Sequence, residues 1–266
     1  TPMEGIVWKG WENICNQLKS SLSAESCVLV IECYQGVLHD ELRDGFAGLH
    51  ADCWIDTQSL FKPVNEIEQM TYPYVTDDRL FRFRTHLSYK DFFNTDKLAS
   101  AREKIRSAQG LTVVYGHGAR WEIQMRSRRH EINGLGVENK AEGASYHYKR
   151  GYFVDWVVCD QLKKQLLSKA DYWMDTHIAG EPKMITGDLL RKGLDKTAHQ
   201  PFRVVPFFDP APWGGQWMKR VCDLNPDQPN YGWCFDCVPE ENSLYFNING
   251  ERFEMPSNNL VFYKTR

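Results

Sequence analysis

At 266 residues and 31.0 kDa, with 42% hydrophobic and 25% charged residues, the chain has the proportions of one large folded domain or two modest ones, not of a disordered tract. A formal charge of -3 and a pI near 6.2 give no electrostatic footprint for nucleic acid or for an anionic membrane. No apolar run approaches the roughly 20 residues of a membrane span, and no basic stretch leads into an apolar core as a secretory leader would, so the expected setting is cytoplasmic.

The first two hundred residues alternate between helical and extended patterns. Trp8, Trp11, Ile14, Cys15, Leu18 and Leu22 recur at helical spacing and predict an amphipathic helix. Cys27 to Ile31 is a short, continuously apolar run, the pattern of a strand buried on both faces. After a turn at Gln35-Gly36, helical spacing returns with Leu38, Leu42, Phe46 and Leu49, and Cys53 to Asp56 reads as a second short strand. Asn94-Thr95 offers a cap to a helix carrying Leu98, Ala101, Ile105 and Ala108, which stops at Gly110. Leu111 to Tyr115 supplies a third buried strand, followed by helices over 121–129 and 153–167. Such alternation predicts an α/β fold, a parallel sheet flanked by helices.

The pattern changes near Lys196. Eight of the 12 prolines follow residue 200, which excludes long helices there and leaves short extended pieces such as Phe202 to Val205 and Ser243 to Phe246. We therefore divide the chain into an α/β domain over 1–198 and a β segment over 199–266. The tail has too few strands to close a sheet alone, and is expected to lean on the front domain or on another chain.

Two stretches stand out in that tail: Pro206-Phe207-Phe208-Asp209-Pro210-Ala211-Pro212-Trp213-Gly214-Gly215-Gln216-Trp217-Met218, and Asn230-Tyr231-Gly232-Trp233-Cys234-Phe235-Asp236-Cys237-Val238-Pro239-Glu240-Glu241-Asn242. They resemble the start of the class I mannose-6-phosphate isomerases, and more narrowly a bacterial branch with an extra α/β region before the isomerase barrel. Tyr148 to Trp156 and Tyr72 to Arg79 resemble that branch as well. The resemblance implies a sugar-phosphate protein of which this chain is the front portion, its tail forming the first strands of a cupin-like barrel, completed by the rest of that barrel or by another chain. It also implies a sugar phosphate as ligand and Trp213, Gly214 and Gly215 as substrate-binding residues; as a tight turn with a core tryptophan, the same residues need no ligand.

Isomerases of this family hold zinc through Gln, Glu and two His side chains. The eight histidines here, at 39, 50, 86, 117, 130, 147, 177 and 199, all precede the barrel-like segment, and the family's Gln-x-His motif is absent. The expectation is thus no metal ligand and no cofactor in this chain, zinc belonging only to the full-length parent, and no isomerase turnover from these residues alone. Cys234 and Cys237 form one Cys-x-x-Cys pair without a second pair, so packed thiols are favoured over a zinc or redox site.

The α/β region is similar, more distantly, to P-loop kinases of the uridine kinase and phosphoribulokinase kind. Its first strand ends in Glu32-Cys33-Tyr34-Gln35-Gly36, with one glycine and no Lys-Ser/Thr for phosphate and magnesium. The resemblance implies Asp56 as a weak candidate catalytic base and Arg126, Arg128 and Arg129 as an arginine lid, whereas Glu122 and Arg126 at i,i+4 also suit a solvated helix face. Gly116 and Gly118 follow the third strand where a doubly wound sheet places ligands, beside Arg120; the direct run from Ala119 into Arg120 is shorter than that branch leads one to expect. The reading is a degenerate, non-catalytic kinase-like domain with a structural or sugar-phosphate-sensing role. Its alternatives are an active small-molecule kinase with a non-standard phosphate loop, a pure binding or regulatory module that senses sugar phosphate, and an unrelated α/β domain.

Overall fold

The computed structural model describes residues 1–22, 27–78, 82–199 and 245–256. Its centre is a five-stranded sheet in the order β2(Trp8–Lys9), β6(Lys183–Thr186), β5(Tyr172–Asp175), β4(Gly110–His117), β3(Cys27–Cys33). β3, β4 and β5 run parallel, as the strand–helix alternation predicts, but β6 and β2 add antiparallel edges, so the sheet is mixed. The antiparallel step is cheap in chain length, because seven residues join β5 to β6 whereas each parallel crossover needs intervening helices.

The two-residue side-chain period of the strands divides the interior. On one face Val114, Tyr172, Met174 and Met184 meet Ile14 and Leu18 of α1(Gly10–Ser21) and Leu42 and Phe46 of α2(His39–Phe46). On the other, Tyr115, Trp173 and Ile185 meet Ile123 of α5(Arg120–Arg128), Trp156 and Cys159 of α7(Trp156–Leu166) and Leu190 of α8(Gly187–His199). A third cluster packs Ile67 and Val75 of α3(Val64–Val75) against Phe61, Phe92, Phe153 and Val158 beyond the sheet. The remaining helices are α4(Thr95–Lys104), capped by the Asn94 side chain as expected, and α6(Ala144–Arg150), which runs through a π-helical turn at Gly151–Asp155 into α7.

Pro2–Met3 and the segment Tyr245–Glu254 meet in a second sheet. β1(Pro2–Met3) pairs in parallel with β7(Tyr245–Ile248), which forms a hairpin with β8(Glu251–Glu254). Phe246, Ile248 and Phe253 are fully buried on the α7–α8 side of the main core. Helix α8 passes close to them at Gly193, where a Cβ would stand 2.7 Å from the Phe246 ring.

Several local expectations change. The first helix begins at Gly10, because Trp8 and Lys9 are drawn into β-pairing with Met184 and Lys183. Cys53 to Asp56 is irregular chain leading into a 3-10 turn over Thr57–Leu60, with no neighbouring strand to pair it. Helix α3 includes Pro73 in its last turn, where the missing N–H removes one i→i−4 bond. Of the tail, only the hairpin lies among the described residues; Phe202 to Val205 and the Trp213 stretch lie outside them.

Candidate functional site at the carboxyl edge of the parallel strands

β3, β4 and β5 deliver three short connections to one edge of the sheet: Tyr34-Gln35-Gly36, Gly118-Ala119 and Thr176-His177. Sheet-like bonds carry on past the strand ends. Tyr34 N donates to Gly116 O (2.9 Å), and the Thr176 amide and hydroxyl both donate to His117 O (2.8 and 3.0 Å). Gly36 has φ +100°, and a Cβ there would come within 2.8 Å of Ile123, so this turn requires glycine.

Arg126 ties the outer two connections together. Its side chain is 1% exposed; Nη1 donates to Gly36 O (2.9 Å), Nη2 to Thr176 O (2.7 Å) and His177 O (3.2 Å), and Nε to Glu122 Oε1 (3.2 Å). A planar, permanently charged fork suits this task, because it satisfies several divergent acceptors from one rigid group.

Beneath this clamp lies a buried polar chain. Arg120 Nη2 donates to the Tyr34 hydroxyl (3.1 Å), which donates to Asp160 Oδ1 (3.1 Å), and Lys163 Nζ stands 2.9 Å from the same carboxylate oxygen. The Arg120 guanidinium lies 3.8 Å over the Trp156 ring, whose Nε1–H donates to Gln35 Oε1 (2.9 Å). Burial drives the Tyr34 hydroxyl well above its ordinary pKa, with Arg120 opposing, and lowers that of Lys163, with Asp160 opposing. These opposing charges let a lysine, an arginine and an aspartate share a low-dielectric interior.

The C-terminal hairpin closes the remaining side. Asp175 Oδ1 accepts from His177 N (2.8 Å) and Oδ2 from Glu254 N (2.9 Å), while His117 Nε2 lies 2.8 Å from Glu254 O. Burial lowers the His117 pKa, with the Asp175 carboxylate opposing. At the end of β3, burial raises the Glu32 carboxyl to about 7; its Oε1 accepts from Cys33 N at 3.2 Å.

The residues singled out from sequence fall in distinct places. Gly116 and Gly118 are at this edge, though an added Cβ would meet nothing closer than 3.5 Å and 3.9 Å respectively, so neither is sterically required. Arg126 is at the edge but wholly inside, directed at backbone carbonyls and not on a solvated face. Arg128 reaches Gln124 O within its own helix (3.5 Å), and Arg129, 45% exposed, pairs with Glu122 and Glu131 at 2.7 Å. Asp56 lies outside this cluster: it accepts from Gln58 N (2.9 Å), caps the 3-10 turn and pairs with Arg43 (3.3 Å). Trp213, Gly214 and Gly215 lie outside the described residues. The sequence reading does not single out Tyr34, Asp160, Lys163 or Asp175; the one linear signal is the i,i+3 charge pair Asp160 and Lys163 in α7.

Among the described residues no three His, Cys, Asp or Glu side chains gather as a metal-binding group. Nor is any described helix long and apolar enough to cross a membrane. No curated protein and no solved structure matches the chain. A family model matches it in two stretches, residues 10–121 and 119–199, which meet where β4 passes through Gly118-Ala119 directly into α5. Together these stretches take in both helical layers and every strand of the central sheet except β2, and the chain belongs to the family described as a domain of unknown function, DUF8485.

Proposed function

We propose that this chain is part of a mannose-6-phosphate isomerase-like sugar-phosphate protein, and that its α/β unit is a degenerate kinase-like domain with a structural or sugar-phosphate-sensing role. The observation that carries the non-catalytic reading is Arg126, whose guanidinium is directed at Gly36, Thr176 and His177 carbonyls across the edge where an α/β sheet offers its ligand crevice. The same edge is held by Asp175 and His117 against the Glu254 backbone. The strand–turn–helix of β3, Gly36 and α2 is consistent with a kinase-like origin, and the half-buried Glu32 carboxyl beside it disfavours a triphosphate. The two-residue step from β4 to α5 supports loss of a connection there.

The test is calorimetry of the full chain with Mg-ATP, beside an assay of zinc-dependent fructose 6-phosphate formation from mannose 6-phosphate. Neither binding in the micromolar range nor turnover above a host-enzyme control is expected. Micromolar Mg-ATP binding that is lost on Gly36→Asp would replace this reading with the active small-molecule kinase, and zinc-dependent turnover would remove its other half.

A further inference from the structure

Away from the carboxyl edge, a concavity of about 310 Å³ opens between the segment 54–60 and helix α4. One wall carries Trp54, Asp56 and Ser59; the other carries Lys97, Ser100 and Lys104, at i, i+3 and i+7 on one face of the helix. Lys97 Nζ donates to Ser59 O at 3.1 Å and so fastens the two walls. Asp56 is already neutralised by Arg43 at 3.3 Å. The Trp54 side, 48% exposed, leaves an indole in contact with water where most large apolar groups of this protein are covered.

The volume sits at the lower end of the range that takes small ligands, about 300–1,000 Å³. The lining combines three functions: an aromatic face that the C–H side of a sugar ring can cover, ammonium groups for an anion, and a carboxylate with two hydroxyls for sugar hydroxyls. We infer that this concavity binds a monosaccharide phosphate, the ring against Trp54, hydroxyls toward Asp56, Ser59 and Ser100, and the phosphate toward Lys104. The choice of sugar phosphate as ligand rests on the function proposed above; the site itself rests on the pocket's chemistry.

Calorimetry on the full chain tests it with three probes: mannose 6-phosphate, mannose and inorganic phosphate. The expected result is saturable binding of mannose 6-phosphate, weaker by about tenfold or more for either half of the ligand alone, and weakened at least about tenfold by Trp54→Ala and by Lys104→Glu. Both side chains are exposed, so an unchanged thermal midpoint verifies that the variants fold. Mannose 6-phosphate binding that survives both substitutions would move the site elsewhere while leaving the sensing role standing. Equal affinity for inorganic phosphate would replace the monosaccharide by a bare anion site. Absence of binding up to millimolar concentration would overturn both this site and the sensing role, whereas the ATP and isomerase assays bear on the catalytic question alone.

Discussion

Nη2 of Arg126 lies 2.7 Å from the carbonyl oxygen of Thr176, although the two residues belong to connections that leave different strands of the sheet. The guanidinium thereby satisfies carbonyls beyond the ends of β3 and β5 that burial keeps from solvent, and at 1% exposure it has no aqueous competitor.

Arg126→Ala should therefore cost about 3–5 kcal/mol, since it strands the buried carbonyls of Gly36 and Thr176, whereas Glu122 keeps its ion pair with Arg129. Arg129→Ala, which removes exposed ion pairs to Glu122 and Glu131, should cost less than about 1 kcal/mol. Urea unfolding of the two variants measures the contrast; equal costs would refute the clamp.

The glycines at the same edge should differ. Gly36→Ala forces a side chain into φ +100° and against Ile123 at 2.8 Å, for a cost of about 1–3 kcal/mol. Gly116→Ala and Gly118→Ala meet only ordinary contacts and should stay within about 1 kcal/mol of the parent. Thermal midpoints of the three alanine variants rank them.

How much of this was legible beforehand depends on the reach of the interactions. β3 and β4 show themselves as continuous apolar runs, yet full burial on both faces does not follow: β3 lies at the sheet edge with every residue only half-buried, and Leu111 of β4 is 66% exposed. Helix α4 is announced by Asn94 but ends at Lys104, so Ile105 and Ala108 lie beyond it. β1 and β2 are two residues each and exist only through partners about 245 and 175 positions away, which no local pattern encodes. Arg126 illustrates the same limit within the site. Its pairing with Glu122 was visible at i,i+4 and is present at 3.2 Å, yet its burial follows from carbonyls 90 and 50 residues distant. Tyr34 likewise reads as a turn residue until Asp160 and Arg120 converge on its hydroxyl from two helices.

Glu32 should make stability fall as pH rises. The carboxyl ionises near 4.5 in its ordinary state and near 7 in the fold, where burial penalises the anion. Between those values the folded state binds the extra proton, so stability declines with increasing pH and the loss is complete above about 7. At pH 8 the penalty is about 3 kcal/mol, and Glu32→Gln should recover most of it while changing little at pH 4. Denaturation curves of parent and variant across this range would show converging stabilities at low pH; parallel curves would contradict the raised carboxyl.

Asp175→Asn should loosen the hairpin selectively. Both carboxylate oxygens accept backbone N–H donors, from His177 and Glu254, and an amide can accept only on one side. A global cost of about 1.5–3 kcal/mol is expected, with amide exchange at Glu254 and Phe253 accelerating more than in β3 or β4. Uniform acceleration across the protein would argue against a local latch.

The Thr1 nitrogen donates to the carbonyl of Tyr245 across a sequence separation of 244 residues, and the parallel pairing of β1 with β7 sits on the same seam. A ribosome delivers the first of these strands long before the second. Through most of synthesis Met3 and the sheet face bearing Trp173 and Ile185 have no Phe246, Ile248 or Phe253 to cover them. Closure of so large a loop pays its full entropy before any contact rewards it, which makes this seam the late step of folding. Nascent chains that have not yet reached Tyr245 then present an apolar face of the kind that holding chaperones cover, and it is the hairpin, not completion of the α/β sheet, that covers it.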